Sequence, residues 1–147
     1  MISIKPSTTE NNDFIRKTHH LAYREMVQRQ FGKWDQPQQD EFVNHDLLED
    51  DHEIIFFGNE PCGYFSLSII QGKIHLVNFA ILPEHQSKGI GGLVIEKLKE
   101  RSNKSKMPLS IGTFKTNLDA QRFYEKHEFK RCGETNMHFI YAWPEKS

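Results

Sequence analysis

The sequence lacks the features that would tie it to an oxidising compartment, a membrane or a polyanion. Its two cysteines, Cys62 and Cys132, are not in a C-x-x-C. Nothing in the chain suggests secretion, so two reduced thiols in a cytoplasmic protein are expected. The first ten residues hold no apolar core of a signal peptide, and no apolar run approaches the ~20 residues a membrane span needs. Nineteen basic residues against 20 acidic ones leave a net charge of −1, which gives no footprint for nucleic acid or an anionic bilayer. The one basic run, residues 97–106, reads as the end of a surface helix, where cations suit the dipole. There are eight histidines, but no H-E-x-x-H or comparable spacing, so no metal is expected. Repeats, low-complexity stretches and linkers are also missing. The 147 residues therefore read as one domain, 1–147, long enough to bury roughly two thirds of its unfolded surface without staples.

The hydrophobic period then sorts the chain into elements. Residues 2–5 read as a first strand. A helix starts at Thr8 or Thr9, carries Phe14, Ile15, Leu21, Ala22 and Met26 roughly on one side, and stops at Gly32. A second helix runs from Pro37, a good first helical residue, to about Leu48. Residues 53–57 form a buried strand and 58–61 a turn. Residues 63–70 alternate, with Phe65, Leu67 and Ile69 on one face, and a tight hairpin at Gln71-Gly72 follows. Residues 74–82 are apolar on both faces, as a covered central strand is. After Pro83 come a helix over 89–103, a strand over 109–114, a helix from Leu118 to about His127 capped by Asn117, and strands over 129–134 and 137–143. The order is β-α-α-β-β-β-α-β-α-β-β: a mixed α+β fold, seven strands and four helices around one sheet, parallel where a helix intervenes.

The informative stretch is residues 79–92. An apolar strand ends at a proline; a polar turn and a Gly-x-Gly then open an amphipathic helix. Glycine allows close backbone approach, and the helix start offers unpaired N–H groups at the positive end of its dipole. That combination seats a pyrophosphate. A Walker loop is excluded, because Gly-Lys-Ser/Thr is absent, and so is a dinucleotide fingerprint, because G-x-G-x-x-G with its later acid is absent. What stands there is Gln-x-x-Gly-x-Gly, from Gln86 to Gly91. It resembles the acyl-CoA pyrophosphate loop of the GNAT superfamily of N-acyltransferases. A second segment, Asn117-x-x-Ala120-x-x-Phe123-Tyr124 and on to Phe129, is similar to that superfamily's other signature. It departs in having Glu128 where glycine usually precedes the Phe, so the helix is expected to end without a left-handed glycine.

The resemblance implies a GNAT fold and transfer of an acetyl group from acetyl-CoA to a primary amine by direct attack on the thioester. It implies a carbonyl held by backbone N–H groups near Phe79, Ala80 and Ile81. It implies a pyrophosphate on the turn of Gln86, Ser87, Lys88, Gly89, Ile90, Gly91 and Gly92, with Asn117 against the cofactor arm. Tyr124 takes the place of the family's acid for the departing thiolate; a phenol of pKa about 10 can donate to a thiolate whose conjugate acid lies near 8.5. For the base, some relatives carry a glutamate where His75 stands, and imidazole titrates in the right range. The acceptor region holds Tyr23, Arg24, Phe31, Trp34, Asp35, Phe42 and His138; of these Tyr23, Trp34 and His138 are the substrate candidates. They suit a small amine, while a protein N-terminus or lysine stays open, as do a homodimer and a non-catalytic acyl-CoA sensor.

Overall fold

A computed structural model describes residues 1–144. In chain order they form β1 (Ile2–Pro6), α1 (Asn12–Phe31), α2 (Gln36–Glu49), β2 (Asp51–Phe57), β3 (Glu60–Ile70), β4 (Lys73–Ile81), α3 (Ile90–Ser105), β5 (Leu109–Phe114), α4 (Leu118–Lys126), β6 (Lys130–Glu134) and β7 (His138–Trp143). The succession is the one expected from the sequence. The strands make one seven-stranded sheet in the order β1-β2-β3-β4-β5-β7-β6. β4 and β5 pair in parallel, with Ile74 opposite Leu109 and His75 opposite Ser110, because α3 carries the chain back between them. The fold is α+β, a mixed sheet with four α-helices.

Two compact units can be distinguished. The first comprises Met1–Leu67 and Asn78–Gly91. Its helices begin and end for local reasons. α1 stops at Gly32, whose left-handed φ of +82° lets its N–H reach the Gln28 carbonyl at 2.7 Å. α2 starts at Asp35, whose carboxylate accepts from the Gln38 N–H at 3.1 Å, with Pro37 in the first turn. The two helices bury Ile15 and Val43 in one cluster with Ile54, Tyr64 and Ala80; burying a large aliphatic side chain of this kind contributes about 1.5–3 kcal/mol. β3 departs from the expected alternation. Cys62, Gly63, Tyr64, Phe65 and Ser66 are all buried, whereas Ile69 is 66% exposed. The strand is covered on both faces from Cys62 to Ser66 and bare at its end, so a period of two never sorts inside from outside. Gly63 marks the tightest point. A Cβ there would collide with the Ala80 carbonyl oxygen and come within 3.1 Å of the Ile81 Cα.

The second unit comprises Ser68–Val77 and the described residues from Gly92 on. α3 buries Val94, Ile95 and Leu98, and β5 buries Leu109 and Ile111. Residues 97–106 are the end of a helix and mostly exposed, as expected, but Lys99 is an exception. It is buried, its Nζ lies 3.0 Å from Glu128 Oε1 and 3.4 Å from Glu96 Oε2, and it sits over the Trp143 ring. A buried ammonium needs such partners.

Candidate active site

Two elements of the first unit meet the requirements of an acyl-CoA site. The first is the turn after β4. Pro83 opens a short 3₁₀ turn, Pro83–His85, and the Gln86 side-chain amide donates to the Ile81 carbonyl at 2.9 Å, which ties the turn back to the strand end. Ser87 and Gly89 then take left-handed φ values of +63° and +81°. Gln86, Ser87, Lys88 and Gly89 are exposed, while Ile90 is buried and pins the start of α3. The open backbone therefore precedes a helix N-terminus directly, the geometry for an anion. Gly91 is the second residue of α3. Gly92 has another reason to be glycine: in the second unit, a Cβ there would come within 2.9 Å of the His127 ring.

The second element is the end of β4 itself. The Tyr23 hydroxyl donates to the Phe79 carbonyl at 2.7 Å and accepts from the Phe79 N–H at 3.1 Å. One side chain of α1 thus satisfies both backbone groups of a residue inside β4. Burial pushes the Tyr23 pKa up to about 12; the Phe79 bond acts the other way, and Asp46 adds to the rise. Tyr23 remains a neutral clamp at physiological pH. The sequence places Tyr23 among the acceptor residues and gives no sign of this anchoring to β4. On the opposite side of the backbone, Asn78 donates to Asp46 at 2.8 Å and to Ser66 at 3.3 Å.

α1 and α2 also hold a histidine cluster that the sequence reading missed. His19 is one helical turn before Tyr23, and their rings lie 4.9 Å apart. His19 Nδ1 is 3.0 Å from His20 Nδ1, and His20 Nε2 is 2.6 Å from Asp40 Oδ1. Gln36 also donates to Asp40, at 3.1 Å, and accepts from the Trp34 indole at 3.0 Å. Trp34 therefore joins Tyr23 around His19, with ring centroids of His19 and Trp34 6.4 Å apart. Burial, with some help from His20, lowers the His19 pKa to about 4. The His20 bond, more than any charge, holds the Asp40 carboxyl below its usual range. The His19–Tyr23 spacing is visible as i, i+4; the His20–Asp40 pairing spans 20 residues and has no local signal.

The second unit holds the remaining candidates. Asn117 caps α4, its side-chain carbonyl oxygen accepting from the Ala120 N–H at 3.2 Å. Tyr124 is 5% exposed, with its ring beside Phe123, Phe129 and Tyr141. Tyr141 in turn donates to Glu125 at 2.7 Å. The helix ends without a left-handed glycine, but the left-handed position is still there. Glu128 itself adopts φ +74°, which lets the Phe129 N–H reach the Tyr124 carbonyl at 3.0 Å. His75 is half-buried, with Nδ1 2.7 Å from the Ser110 hydroxyl. His138 stacks on Phe114 at 4.4 Å and borders Thr135; it belongs to the β5–β7 pair of this unit, whereas Tyr23 and Trp34 belong to the first.

Among the described residues no group of three or more His, Cys, Asp or Glu is placed to hold a metal ion, and no helix is long and apolar enough to cross a membrane. No curated protein matches the sequence. Solved structures do match in fold. They include the PaiA N-acetyltransferase of Thermoplasma acidophilum in complex with coenzyme A, 17% identical with a TM-score of 0.80 over 97% of this chain and 98% of that one. An acetyltransferase from Thermus thermophilus is 16% identical, with a TM-score of 0.79 over 99% and 97%. A GNAT family acetyltransferase from Elizabethkingia anophelis with acetyl-CoA bound is 17% identical, with a TM-score of 0.72 over 96% of each chain. At the sequence level, residues 19–129, a span that includes both motifs, match the Acetyltransferase (GNAT) family. The chain belongs to that family.

Proposed function

We propose that this protein is an N-acetyltransferase that moves the acetyl group of acetyl-CoA to the primary amine of a small molecule, by direct attack of the amine on the thioester. The observation that carries this reading is the turn of residues 86–91. It combines two left-handed residues, four exposed positions and a helix start in the one stretch where the family's cofactor loop is expected. Relatives of the same fold hold coenzyme A or acetyl-CoA, which supports the same cofactor here.

The roles follow from the groups available. Backbone N–H groups from Ser87 to Gly92 hold the pyrophosphate, with Lys88 as a nearby cation and Asn117 against the pantetheine arm. The backbone of Phe79, Ala80 and Ile81 receives the thioester. Because Tyr23 already occupies the Phe79 N–H, polarisation of the carbonyl falls to its neighbours, and Tyr23 holds the strand in shape for it. Tyr124 gives its phenolic proton to the departing thiolate. For the proton of the incoming ammonium, His75 is the candidate taken from the sequence, and the histidine pair on α1 competes with it. In the first unit, Tyr23 and Trp34 around His19 supply aromatic surface that suits a small amine; His138 is kept as a candidate from the sequence. An N-terminal residue of a protein is the second reading, supported by the fold shared with the ribosomal-protein-S18-alanine N-acetyltransferase of Escherichia coli, TM-score 0.70.

The test is thiol release from acetyl-CoA in the presence of an arylethylamine, an aliphatic diamine and a peptide with an N-terminal alanine. Release that requires an amine, fastest with a small one, is expected. Release only with the peptide selects the second reading. Tight binding of acetyl-CoA without release from any amine would make the protein a sensor.

A further inference from the structure

We infer that the chain His19–His20–Asp40 on α1 and α2 is the proton exit of the acetyl-transfer reaction: His19 takes the proton of the acceptor amine, and His20 and Asp40 hold it. The inference rests on the acetyltransferase reading above. It begins with hydrogen-bond bookkeeping at the ring nitrogens. Asp40, ionised, can only accept, so the proton of a neutral His20 lies on Nε2, 2.6 Å from Asp40 Oδ1. His20 Nδ1 is then bare. The 3.0 Å contact between the two Nδ1 atoms needs one proton, and it must come from His19. This assignment, made from the partners, leaves His19 Nε2 with its lone pair and no hydrogen bond among the described residues. A buried neutral imidazole with a bare nitrogen, backed by a second imidazole and a carboxylate, is the arrangement of a general base with an orienting group.

Place supports the role. His19 packs on Tyr23, and Tyr23 grips the Phe79 backbone; all of these residues lie in the first unit. The cluster is therefore one aromatic ring away from the strand that receives the thioester in this reading. The groups that face it are few. On α1 they are Tyr23, a neutral phenol; Arg24, over the Trp34 ring; and Arg16, which acts on Asp40. On α2 they are Gln36, Asp40 and Asp46, the last acting on Tyr23. Burial keeps His19 neutral, so its lone pair is available, and because burial disfavours charge on His19 itself the proton is passed on to the His20–Asp40 pair.

The step balances. An N–H bond of the ammonium breaks and an Nε2–H bond forms on His19. The His19 Nδ1 proton passes to His20 Nδ1. The positive charge ends on His20, facing the Asp40 carboxylate, whose side chain is 42% exposed and can pass the proton to water. The freed amine attacks the thioester, and the thiolate takes its proton from Tyr124. His19 touches the reacting amine and is a catalytic residue here; His20 and Asp40 act through it and are positioning residues.

The experiment is the pH profile of kcat/KM with the fastest of the three amine probes and with a second amine of different basicity. It is run on the whole chain for wild type, His19→Gln, Asp40→Asn and His75→Gln. His19→Gln should lose roughly 10²- to 10⁴-fold at the plateau. Asp40→Asn, a half-exposed change that spares the core, should lose about tenfold, the low end for a carboxylate that orients a working histidine. It should also move the acidic limb to lower pH, because the carboxylate that stabilises the protonated pair is gone. Asp40→Glu should restore most of both. The KM for acetyl-CoA should not move in any α1 or α2 variant. Two results overturn the inference: an acidic limb that follows the amine's own basicity and is identical in Asp40→Asn, or a limb abolished in His75→Gln and kept in His19→Gln. Wild type that releases thiol with no amine removes the acetyltransferase reading itself, and the proton exit with it.

Discussion

Two of the turns that place a residue in the left-handed region, one before α3 and one after α4, fill it differently. In the turn before α3, Gly89 has φ +81° and nothing stands within 4 Å of where its Cβ would lie. No packing demands glycine there; the backbone is simply left open. At the exit of α4, Glu128 has φ +74°, which costs a non-glycine residue about 1–2 kcal/mol. The cost is offset in place. Glu128 meets the Nζ of buried Lys99 at 3.0 Å, and its backbone lets Phe129 close on Tyr124. Under the proposed function the difference separates ligand contact from scaffold. At Gly89, next to the helix start, the side chain is omitted, although Ser87 two residues earlier keeps one at φ +63°; at Glu128, where a buried cation needs a partner, a charged side chain is kept despite the strain.

The largest expected effect asks whether the α4 exit is only scaffold. Tyr124→Phe keeps the ring and its packing but removes the hydroxyl. Steady-state turnover should fall roughly 10²- to 10⁴-fold with the acetyl-CoA melting shift intact; a fall of only a few-fold would make Tyr124 structural and leave the turn of residues 86–91 as the sole functional one.

Acid tests the contrast elsewhere. His19 has a folded pKa of about 4 against 6.5 unfolded. Its contribution is fully present above pH 6.5 and is lost as pH falls towards 4, because the unfolded chain takes up the proton first. By linkage the loss should be roughly 2–3 kcal/mol at pH 4.5. Urea unfolding of wild type and His19→Gln at pH 7 and 4.5 should show a smaller acid loss in the variant. Equal losses would mean that His19 is not held neutral.

Gly63 supplies a third kind of glycine, required by close approach and not by φ. Gly63→Ala should cost roughly 1–3 kcal/mol of stability and lower turnover as well, since the Ala80–Ile81 backbone must shift. A variant as stable and active as wild type would show that β3 can move away from β4. The smallest effect is at Glu128. Glu128→Gly relieves the strain but removes the Lys99 partner, so thermal unfolding should show a net loss under about 1 kcal/mol. A gain in stability would mean that strain outweighs the ion pair, and the distinction between the two turns would weaken.

What the sequence disclosed was local. The stop at Gly32, the proline at the start of α2, the cap at Asn117, the period of each helix and the two motifs all act within a few residues of themselves, so spacing reveals them. The order of strands and helices followed, and with it the parallel pairing of β4 and β5. The grip of Tyr23 on Phe79 crosses 56 residues and the His20–Asp40 pair crosses 20; neither leaves a periodic trace. Lys99 looked like one of several lysines on a helix end, and only the packing of Trp143 and Glu128 makes it a buried cation. Glu128 was read as a missing glycine because sequence shows the side chain but not the φ it can be made to adopt.

The claim on which the rest stands is that acetyl-CoA lies on the open backbone of residues 86–91. It is tested most directly by the melting shift that acetyl-CoA gives wild type and Gly89→Glu, each measured against its own ligand-free state. With ligand a hundredfold above its dissociation constant, wild type should gain about 2.7 kcal/mol. Gly89→Glu should gain nothing, because it brings a side chain and a negative charge into the phosphate path. The same gain in both proteins would place the cofactor elsewhere and contradict the account.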